Sequence, residues 1–261
     1  MTEPKRRELS IILPRYQEDY AVIERSLRRI EALFNRETCE VLVVNDGGSA
    51  GDIARARQVF PDVTFLENGR NFGKGKSIAN GVDRASGDFV FYSDIDLPAD
   101  LDGLPQLIQQ MKRDRHEMAI GTRRKRGTLK SNPYRAATSK AFLFLFNTLI
   151  ASDVKDSQCP FKLMERGYAK FLFQRMSSTR YAFDAELIHM AKLQGQSILQ
   201  VDIPWSDTRA PWGLAKTSAV FGEMLADLVR IRLYWLSRRG LLQRRTQTSG
   251  QLPSLAQRSP G

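Results

Sequence analysis

Short apolar runs alternate with segments of helical periodicity along much of the chain. Runs typical of buried strands cover residues 9–13, 40–44, 63–66, 88–93, 118–121 and 201–205. Apolar residues recur near the helical period in residues 20–34, 74–84 and 101–113. Helices that alternate with short apolar strands predict an α/β fold with a mixed, mainly parallel sheet flanked by helices.

Three polar motifs follow predicted strands, at residues 16–18, 46–48 and 94–96. In parallel sheets, ligands bind beyond the carboxyl ends of the strands, where such motifs converge. Asp94 and Asp96 flank Ile95, and two carboxylates at a strand end suit Mg²⁺ or Mn²⁺ shared with substrate phosphates. A solvated turn is the alternative for the acidic motif alone.

Residues 69–77 resemble a P-loop, because they follow a strand, open a helix and end in Gly-Lys-Ser. A P-loop has four residues between its first glycine and Gly-Lys. Here five residues separate Gly69 from Gly75, which disfavours a nucleotide triphosphatase. The start of the helix still carries free N–H groups that suit an anion.

The second half of the chain contributes basic and acidic candidates. Arg123 follows a strand, and Arg135 and Ser139 lie one helical turn apart. Residues 156–162 form a dense polar segment, and 183–187 open a helix with two acids, for which dipole compensation is an alternative explanation.

Residues 219–237 predict an amphipathic helix, followed by a basic tail expected to be disordered, 238–261. No segment reaches the roughly 20 apolar residues of a membrane span. The helix packs on the core or lies at a membrane interface. With the tail, it suggests a peripheral anchor on an anionic membrane surface, beside a catalytic domain of residues 1–218.

Composition favours anionic partners, since the net charge of the 261 residues is +11. Cys39, Cys159 and the two histidines have no zinc-like spacing and no disulfide pattern. The polar N-terminus lacks a signal-peptide core. We therefore expect a cytoplasmic protein at the inner face of the membrane.

Taken in order, these motifs resemble family-2 glycosyltransferases with a GT-A fold, and especially the polyprenyl-phosphate (dolichyl-phosphate) glucosyl- and mannosyltransferases. The resemblance runs from about residue 9 to 218. Its motifs lie at residues 12–18, 43–47, 71–75, 94–96, 121–123, 156–162 and 183–187.

The resemblance implies roles for individual residues. Asp94 and Asp96 would hold the metal, and Asp96, Arg123, Arg135 and Ser139 would form the catalytic set, the last three gripping the acceptor phosphate. The donor-binding residues implied are Pro14, Tyr16, Glu18, Val44, Asp46, Lys76, Asp94, Ile95, Asp96, Arg209 and Lys216. Three positions depart from the family pattern: Gln17 replaces an Asn, Pro160 a Gly, and Pro98 a metal-binding Gln of the mannosyltransferases.

The implied reaction is inverting transfer of a hexose from a nucleotide diphosphate-sugar to a polyprenyl monophosphate. UDP-glucose is the favoured donor and GDP-mannose the alternative. A phosphate acceptor is already ionised near pH 7, so no strong general base is required.

Three other hypotheses stay open. A soluble or protein hydroxyl acceptor would need a base, with Asp184 or Asp156 as candidates. The others are a P-loop NTPase and a basic nucleic-acid-binding protein, although no nucleic-acid motif is recognisable and we expect no nucleic-acid partner. A homo-oligomer is compatible with the sequence.

Overall fold

The computed structural model describes residues 7–125, 133–150, 153–206 and 214–243, without the side chains of 125, 133–139, 214–220, 239 and 243. The strands are β1 (Leu9–Arg15), β2 (Cys39–Asn45), β3 (Thr64–Glu67), β4 (Phe89–Ser93), β5 (Met118–Lys125), β6 (Phe161–Glu165) and β7 (Ile198–Trp205). The helices are α1 (Tyr20–Leu33), α2 (Ala50–Val59), α3 (Lys74–Arg84), α4 (Leu104–Asp114), α5 (Pro133–Leu149), α6 (Arg166–Phe173), α7 (Phe183–Leu193), α8 (Leu214–Leu236) and α9 (Arg239–Gln243).

The strands form one seven-stranded sheet in the order β3-β2-β1-β4-β6-β5-β7. The four strands from β3 to β4 are parallel, and β5 pairs parallel with β7. Between these groups, β6 runs antiparallel to both β4 and β5. The prediction of a mixed, mainly parallel sheet flanked by helices is confirmed.

Two hydrophobic cores cover the two faces of the sheet, because successive strand residues point to opposite sides. On β1, Ile12 belongs to the core that contains residues of α3, α5, α7 and α8. Its neighbours Ile11 and Leu13 belong to the other core, with residues of α1, α2 and α4. Both faces of the central strands are therefore buried, as in other parallel sheets.

A glycine permits the close approach of α3 to β1. A Cβ atom on Gly81 would lie 2.5 Å from Cγ2 of Ile12, a distance that no real contact tolerates. The second half of α3 thereby packs closely on the middle of β1.

Strand β1 continues through Pro14 to Arg15, beyond the residue 13 end that the proline suggested. Pro14 pairs with Val44 of β2, while the β4 pairing stops at Ile12 opposite Tyr92. The missing N–H of Pro14 costs no ladder hydrogen bond on that unpaired side.

Helix α8 packs one face on the core, through Leu228, Ile231 and Trp235. It begins at Leu214, so the boundary expected after residue 218 lies inside this helix. Of the basic tail, residues 244–261 lie outside the described part. Within the described ranges, no helix is long and apolar enough to cross a membrane.

Candidate active site

The register of the parallel strands brings the three polar motifs to one edge of the sheet. Arg15, at the end of β1, pairs with Asn45 at the end of β2, and β4 ends at Ser93 beside them. Residues 16–18, 46–48 and 94–96 follow these ends directly. The predicted convergence of the motifs is therefore present.

Arg15 organises this edge, although its role was not predicted from the sequence. Its side chain is buried, and Nε donates to the carbonyl of Glu18 at 2.8 Å. Nη1 donates to Asn45 Oδ1 at 3.0 Å and to the carbonyl of Ser49, and Nη2 pairs with Asp52 at 2.8 Å. One guanidinium thus fixes the loops after β1 and β2. The available signal was an arginine at the end of an apolar strand.

Asp46 holds the loop that leads into α3. Its carboxylate accepts hydrogen bonds from the backbone N–H groups of Phe72 at 3.0 Å and Gly73 at 2.9 Å, and from Asn68 Nδ2 at 2.8 Å. In this arrangement Asp46 acts on the protein backbone. Its contact with a nucleoside stays a prediction.

The other expected nucleoside residues line the same edge. Pro14 and Val44 are buried neighbours in the sheet. Tyr16 is 41% exposed, and its N–H donates to Glu18 Oε2 at 3.0 Å. An exposed aromatic ring beside a carboxylate offers both a stacking surface and a hydrogen-bond acceptor for a nucleoside.

The beginning of α3 does not form the phosphate cradle of a P-loop. Phe72 and Gly73 donate their N–H groups to Asp46, and Lys76 donates its N–H to the carbonyl of Thr179 at 3.1 Å. Because these donors already have protein acceptors, they form no nest for a triphosphate. The side chain of Lys76 is exposed in the first turn of α3.

Asp94 and Asp96 lie in the turn after β4, both partly exposed, with the buried Ile95 between them. Asp94 Oδ1 lies 2.5 Å from Nζ of Lys74, the first residue of α3. Leu97, next in the chain, has a left-handed φ of 45°. Its carbonyl accepts a hydrogen bond from Arg29 of α1 at 3.0 Å, which holds this strained turn in place.

The acidic turn provides a donor set that fits a hard divalent cation. Asp94 already binds the ammonium group of Lys74, and Asp96 supplies a second carboxylate. Across the described ranges, no three His, Cys, Asp or Glu residues converge as a metal cage. Two carboxylates with the other positions left to water and phosphate are typical of Mg²⁺ sites.

A cleft of about 270 Å³ opens beside Asp96. Arg25 and Arg29 of α1 line one side, Pro98 lies in the loop, and Trp205 at the end of β7 lines the other side. The cleft therefore connects the acidic turn with the β7 end of the site.

Arg123 lies within β5, and its side chain is paired. Nε and Nη2 donate to the two carboxylate oxygens of Asp156 at 2.6 and 2.8 Å, and the guanidinium lies 5.5 Å from the ring of Trp205. The backbones of Arg135, Ser139 and Lys216 lie in α5 and α8, but their side chains are outside the described part, as is all of Arg209. The roles expected of these four residues stay predictions.

A buried cluster of charges lies under the site, around Lys162 of β6. Its Nζ is 2.7 Å from Asp184 Oδ1 and donates to the carbonyls of Ser157 and Cys159. The Tyr92 hydroxyl also donates to Asp184 Oδ1, at 2.7 Å. Burial, and then the negative charge of Asp184, raise the pKa of Tyr92 well above its usual value, so the phenol stays protonated as the donor.

Glu186 connects α7 with a loop and with α8. Although fully buried, it accepts hydrogen bonds from the N–H and Oγ of Ser177, from the N–H of Ser178, and from Trp235 Nε1 at 2.8 Å. Thr179 follows in that loop and accepts from Lys76. Both acids of the 183–187 motif are thus buried acceptors, and neither is merely a dipole partner at the helix surface.

The sheet order, with an acidic turn after β4, is that of the GT-A class of glycosyltransferase. Glucosyl-3-phosphoglycerate synthase from Mycobacterium tuberculosis, solved with Mn²⁺, UDP-glucose and phosphoglyceric acid, superposes with a TM-score of 0.65 over 87% of this chain and 80% of that chain, at 16% identity. The complex of that protein with UDP alone gives a TM-score of 0.64 at 17% identity. These likenesses establish the fold.

The family follows from the sequence match. The model of glycosyl transferase family 2 matches residues 10–173, and this chain belongs to that family. A dolichyl-phosphate beta-glucosyltransferase of Trichomonas vaginalis is 28% identical over 243 residues, covering 89% of this chain and 70% of that protein. The dolichyl-phosphate beta-glucosyltransferase of Homo sapiens is 26% identical over 250 residues, covering 88% and 76%.

Proposed function

We propose that this chain is a metal-dependent, inverting glycosyltransferase that transfers glucose from UDP-glucose to a polyprenyl monophosphate at a membrane surface. The relatives that match along most of the chain are named as dolichyl-phosphate glucosyltransferases, which supports glucose and a lipid phosphate. The solved neighbours that carry UDP support the choice of uridine over guanosine.

The choice of a phosphate acceptor rests on how the two candidate bases, Asp184 and Asp156, are held in the structure. Asp184 is buried against Lys162, and Asp156 is engaged by both nitrogens of the Arg123 fork. Because each carboxylate is already held by a cation, and Asp184 is only 3% exposed, neither is placed to take a proton from an acceptor hydroxyl. A lipid phosphate needs none, since it is already ionised and attacks directly.

The residues of the acidic turn would bind the metal and the donor diphosphate. Asp94 and Asp96 supply the carboxylates, and Leu97 and Arg29 keep their turn in a fixed conformation. A bound Mg²⁺ or Mn²⁺ neutralises the charge that develops on the departing diphosphate. Tyr16 and Glu18 would contact the nucleoside, and Arg15 keeps their loop in position.

Arg123 would orient the acceptor phosphate. Asp156 engages its Nε and Nη2, and this contact together with Trp205 holds the guanidinium near the cleft beside Asp96, where its charge would attract the acceptor phosphate. Placing the phosphate in line with the leaving group supplies much of the catalysis in such a reaction. Arg135 and Ser139 are proposed to complete this grip.

The outward face of α8 is proposed to meet the membrane. Val229, Leu233 and Leu236 repeat at helical spacing and are 46–61% exposed, and Phe144 of the neighbouring α5 is 70% exposed. Arg230 and Arg238 are exposed on the same helix and beside its end. Cations beside an apolar stripe favour an anionic bilayer, at about 1 kcal/mol for each basic residue near its surface.

The reaction is tested by sugar transfer to undecaprenyl phosphate from labelled UDP-glucose and GDP-mannose, with Mn²⁺ or Mg²⁺ and with excess EDTA. We expect label from UDP-glucose to enter the organic phase, and EDTA to abolish the transfer. Transfer only from GDP-mannose would replace the proposed donor. Metal-dependent UDP-glucose binding without a lipid product would point to a different acceptor.

The membrane contact is tested by sedimentation with vesicles of phosphatidylglycerol or of phosphatidylcholine. Leu233→Glu should reduce binding to the anionic vesicles. Leu33→Glu is the matched control, because Leu33 is 39% exposed at the end of α1, which packs on the other core. Equal binding of both variants would contradict the assignment of this face.

A further inference from the structure

Lys74 occupies a defined position against the acidic turn. Its ammonium lies 2.5 Å from Asp94 Oδ1, and the two side chains are 21% and 17% exposed. The pair is therefore neither sealed in the core nor spread on the surface. Solvent and small ligands reach it.

The backbone around Lys74 is fixed on three sides, so the contact is built into the fold. Asp46 binds the N–H of Gly73, and the carbonyl of Thr179 accepts the N–H of Lys76. Gly75 packs so closely on Phe183 that a Cβ atom there would lie 2.8 Å from the Phe183 Cβ. These contacts fix the Cα of Lys74 beside the end of β4.

An ammonium and a divalent metal compete for the same carboxylate oxygen. Asp94 and Asp96 concentrate negative charge in one turn, and Lys74 compensates part of it. A metal that takes this Asp94 oxygen without nucleotide displaces the ammonium and leaves it near another cation. A nucleotide diphosphate removes that penalty, because its oxygens bind the metal and accept the ammonium.

We propose that Lys74 is an exchangeable counter-ion of the metal site. It occupies Asp94 when the donor is away, weakens metal binding by the protein alone, and moves to the donor diphosphate when metal and nucleotide bind together. The inference rests on the proposed metal-dependent use of a nucleotide-sugar. It adds a binding residue and an order to the assembly: the metal enters with the nucleotide.

The test measures Mn²⁺ binding by the loss of the free-ion electron paramagnetic resonance signal, with and without UDP. In Lys74→Gln we expect Mn²⁺ alone to bind about fivefold more tightly, the effect of a partly exposed ion pair near 1 kcal/mol. UDP should bind this variant more weakly in the presence of Mn²⁺. Lys74→Arg keeps the charge and should restore weak binding of Mn²⁺ alone.

The matched control is Lys112→Gln, which removes the same charge from another 2.5 Å pair, with Glu8, both members of which are at least 40% exposed. It should leave both Mn²⁺ titrations unchanged. Unaltered or weaker binding of Mn²⁺ alone by Lys74→Gln, with normal UDP binding by the wild type, overturns the counter-ion role only. A wild-type protein that binds neither Mn²⁺ nor UDP overturns the proposed function and this inference with it.

Discussion

Two lysine–aspartate pairs lie near the end of β4, and they differ in their access to solvent. Lys74 and Asp94 are 2.5 Å apart and about one-fifth exposed, whereas Lys162 and Asp184 are 2.7 Å apart, with exposures of 0% and 4%. Similar chemistry therefore has two roles. The buried pair is confined by Tyr92 and two carbonyls, while the accessible pair is able to exchange partners.

The two pairs differ in what compensates the charge that remains when one residue of the pair is removed. Around Asp94, water and ions compensate an unpaired charge. Around Asp184, an unpaired Lys162 stays in the protein interior, where an uncompensated charge is strongly destabilising. The buried pair should control stability, and the acidic turn should control activity.

The largest effect is expected at the buried pair. Asp184→Asn keeps an oxygen acceptor for Tyr92 but removes the charge beside Lys162, and should lower the free energy of unfolding by about 3–5 kcal/mol. Urea denaturation followed by circular dichroism measures this. The double variant Lys162→Met/Asp184→Leu should lose less than Asp184→Asn, because it leaves no buried charge. Equal stability of Asp184→Asn and wild type would contradict the distinction between the pairs.

The second effect is expected at the acidic turn. Asp96→Asn should lower turnover by about 100-fold or more, since it removes a charged group that acts on the leaving diphosphate. Its free energy of unfolding should change by less than about 1 kcal/mol, as expected for a partly exposed group. Initial rates and urea denaturation test both statements.

Asp62→Asn is the control for the acidic turn. Asp62 is an exposed partner of Arg36 in the segment before β3, at the opposite end of the sheet. The activity of the Asp62→Asn variant should match that of the wild type. A folded Asp96→Asn protein with normal turnover would refute the proposed role of the turn.

A smaller effect is expected at the link between α7 and α8. Trp235→Phe removes the indole N–H that donates to Glu186 at 2.8 Å while keeping an aromatic ring. The free energy of unfolding should fall by about 1.5–3 kcal/mol, the range for hydrogen bonds to charged groups. Tyr234→Phe, one residue away on a partly exposed position, should change it by less than about 0.5 kcal/mol. Similar losses in the two variants would show that the carboxylate contact is unimportant.

The smallest effect is expected at the two thiols. Burial raises the pKa of Cys39 and of Cys159 to about 12, and nearby carboxylates add to this. At pH 8.5 both thiols are protonated in the folded protein, and iodoacetamide should add no mass to it. After unfolding in urea, both should be alkylated. Rapid labelling of the native protein would show that one thiol is accessible.

The strands and helix that carry the expected donor-binding residues were largely predictable, because residues 16–18, 46–48 and 94–96 each follow a strand directly in sequence. Helix α3 has the predicted ends, Lys74 and Arg84, and β1, β2 and β4 differ from the prediction only near their ends. Helix α2 was not predicted, because it buries only Ile53 and Ala56 and so has a weak apolar pattern.

The part of the sheet beside Arg123 and Asp156 was less predictable, and Lys162 of β6 explains why. A fully buried lysine made the beginning of β6 look like part of a polar loop, so this antiparallel strand was missed. The sequence likewise pointed to Asp46 as a nucleoside ligand without indicating its three protein donors. Partners distant in sequence decide such roles, and local patterns do not contain them.

The antiparallel strand β6 also has a consequence for how the site assembles during folding. Strands β1 to β4 come from one continuous stretch of chain, and in the described sheet β6 lies between them and the pair of β5 and β7. Pairing β4 with β6 closes a loop of about 70 residues, and the parallel pairing of β1 with β4 already spans about 80 positions, so the two cost similar chain entropy. The β6 pairing comes later because β6 follows β4 in the chain and is synthesised after it.

A nascent chain therefore contains the expected donor residues of the first three polar motifs before it contains Asp156, which binds Arg123, and Thr179 and Phe183, which fix the backbone around Lys74. The acidic turn, Lys74 and Asp46 belong to the early segment, whereas Arg123 and Asp156 are positioned by the later one. Slow formation of nonlocal strand pairs is the general expectation for such topologies. Catalytic competence would therefore be acquired in the last folding step, when the two halves of the sheet are joined.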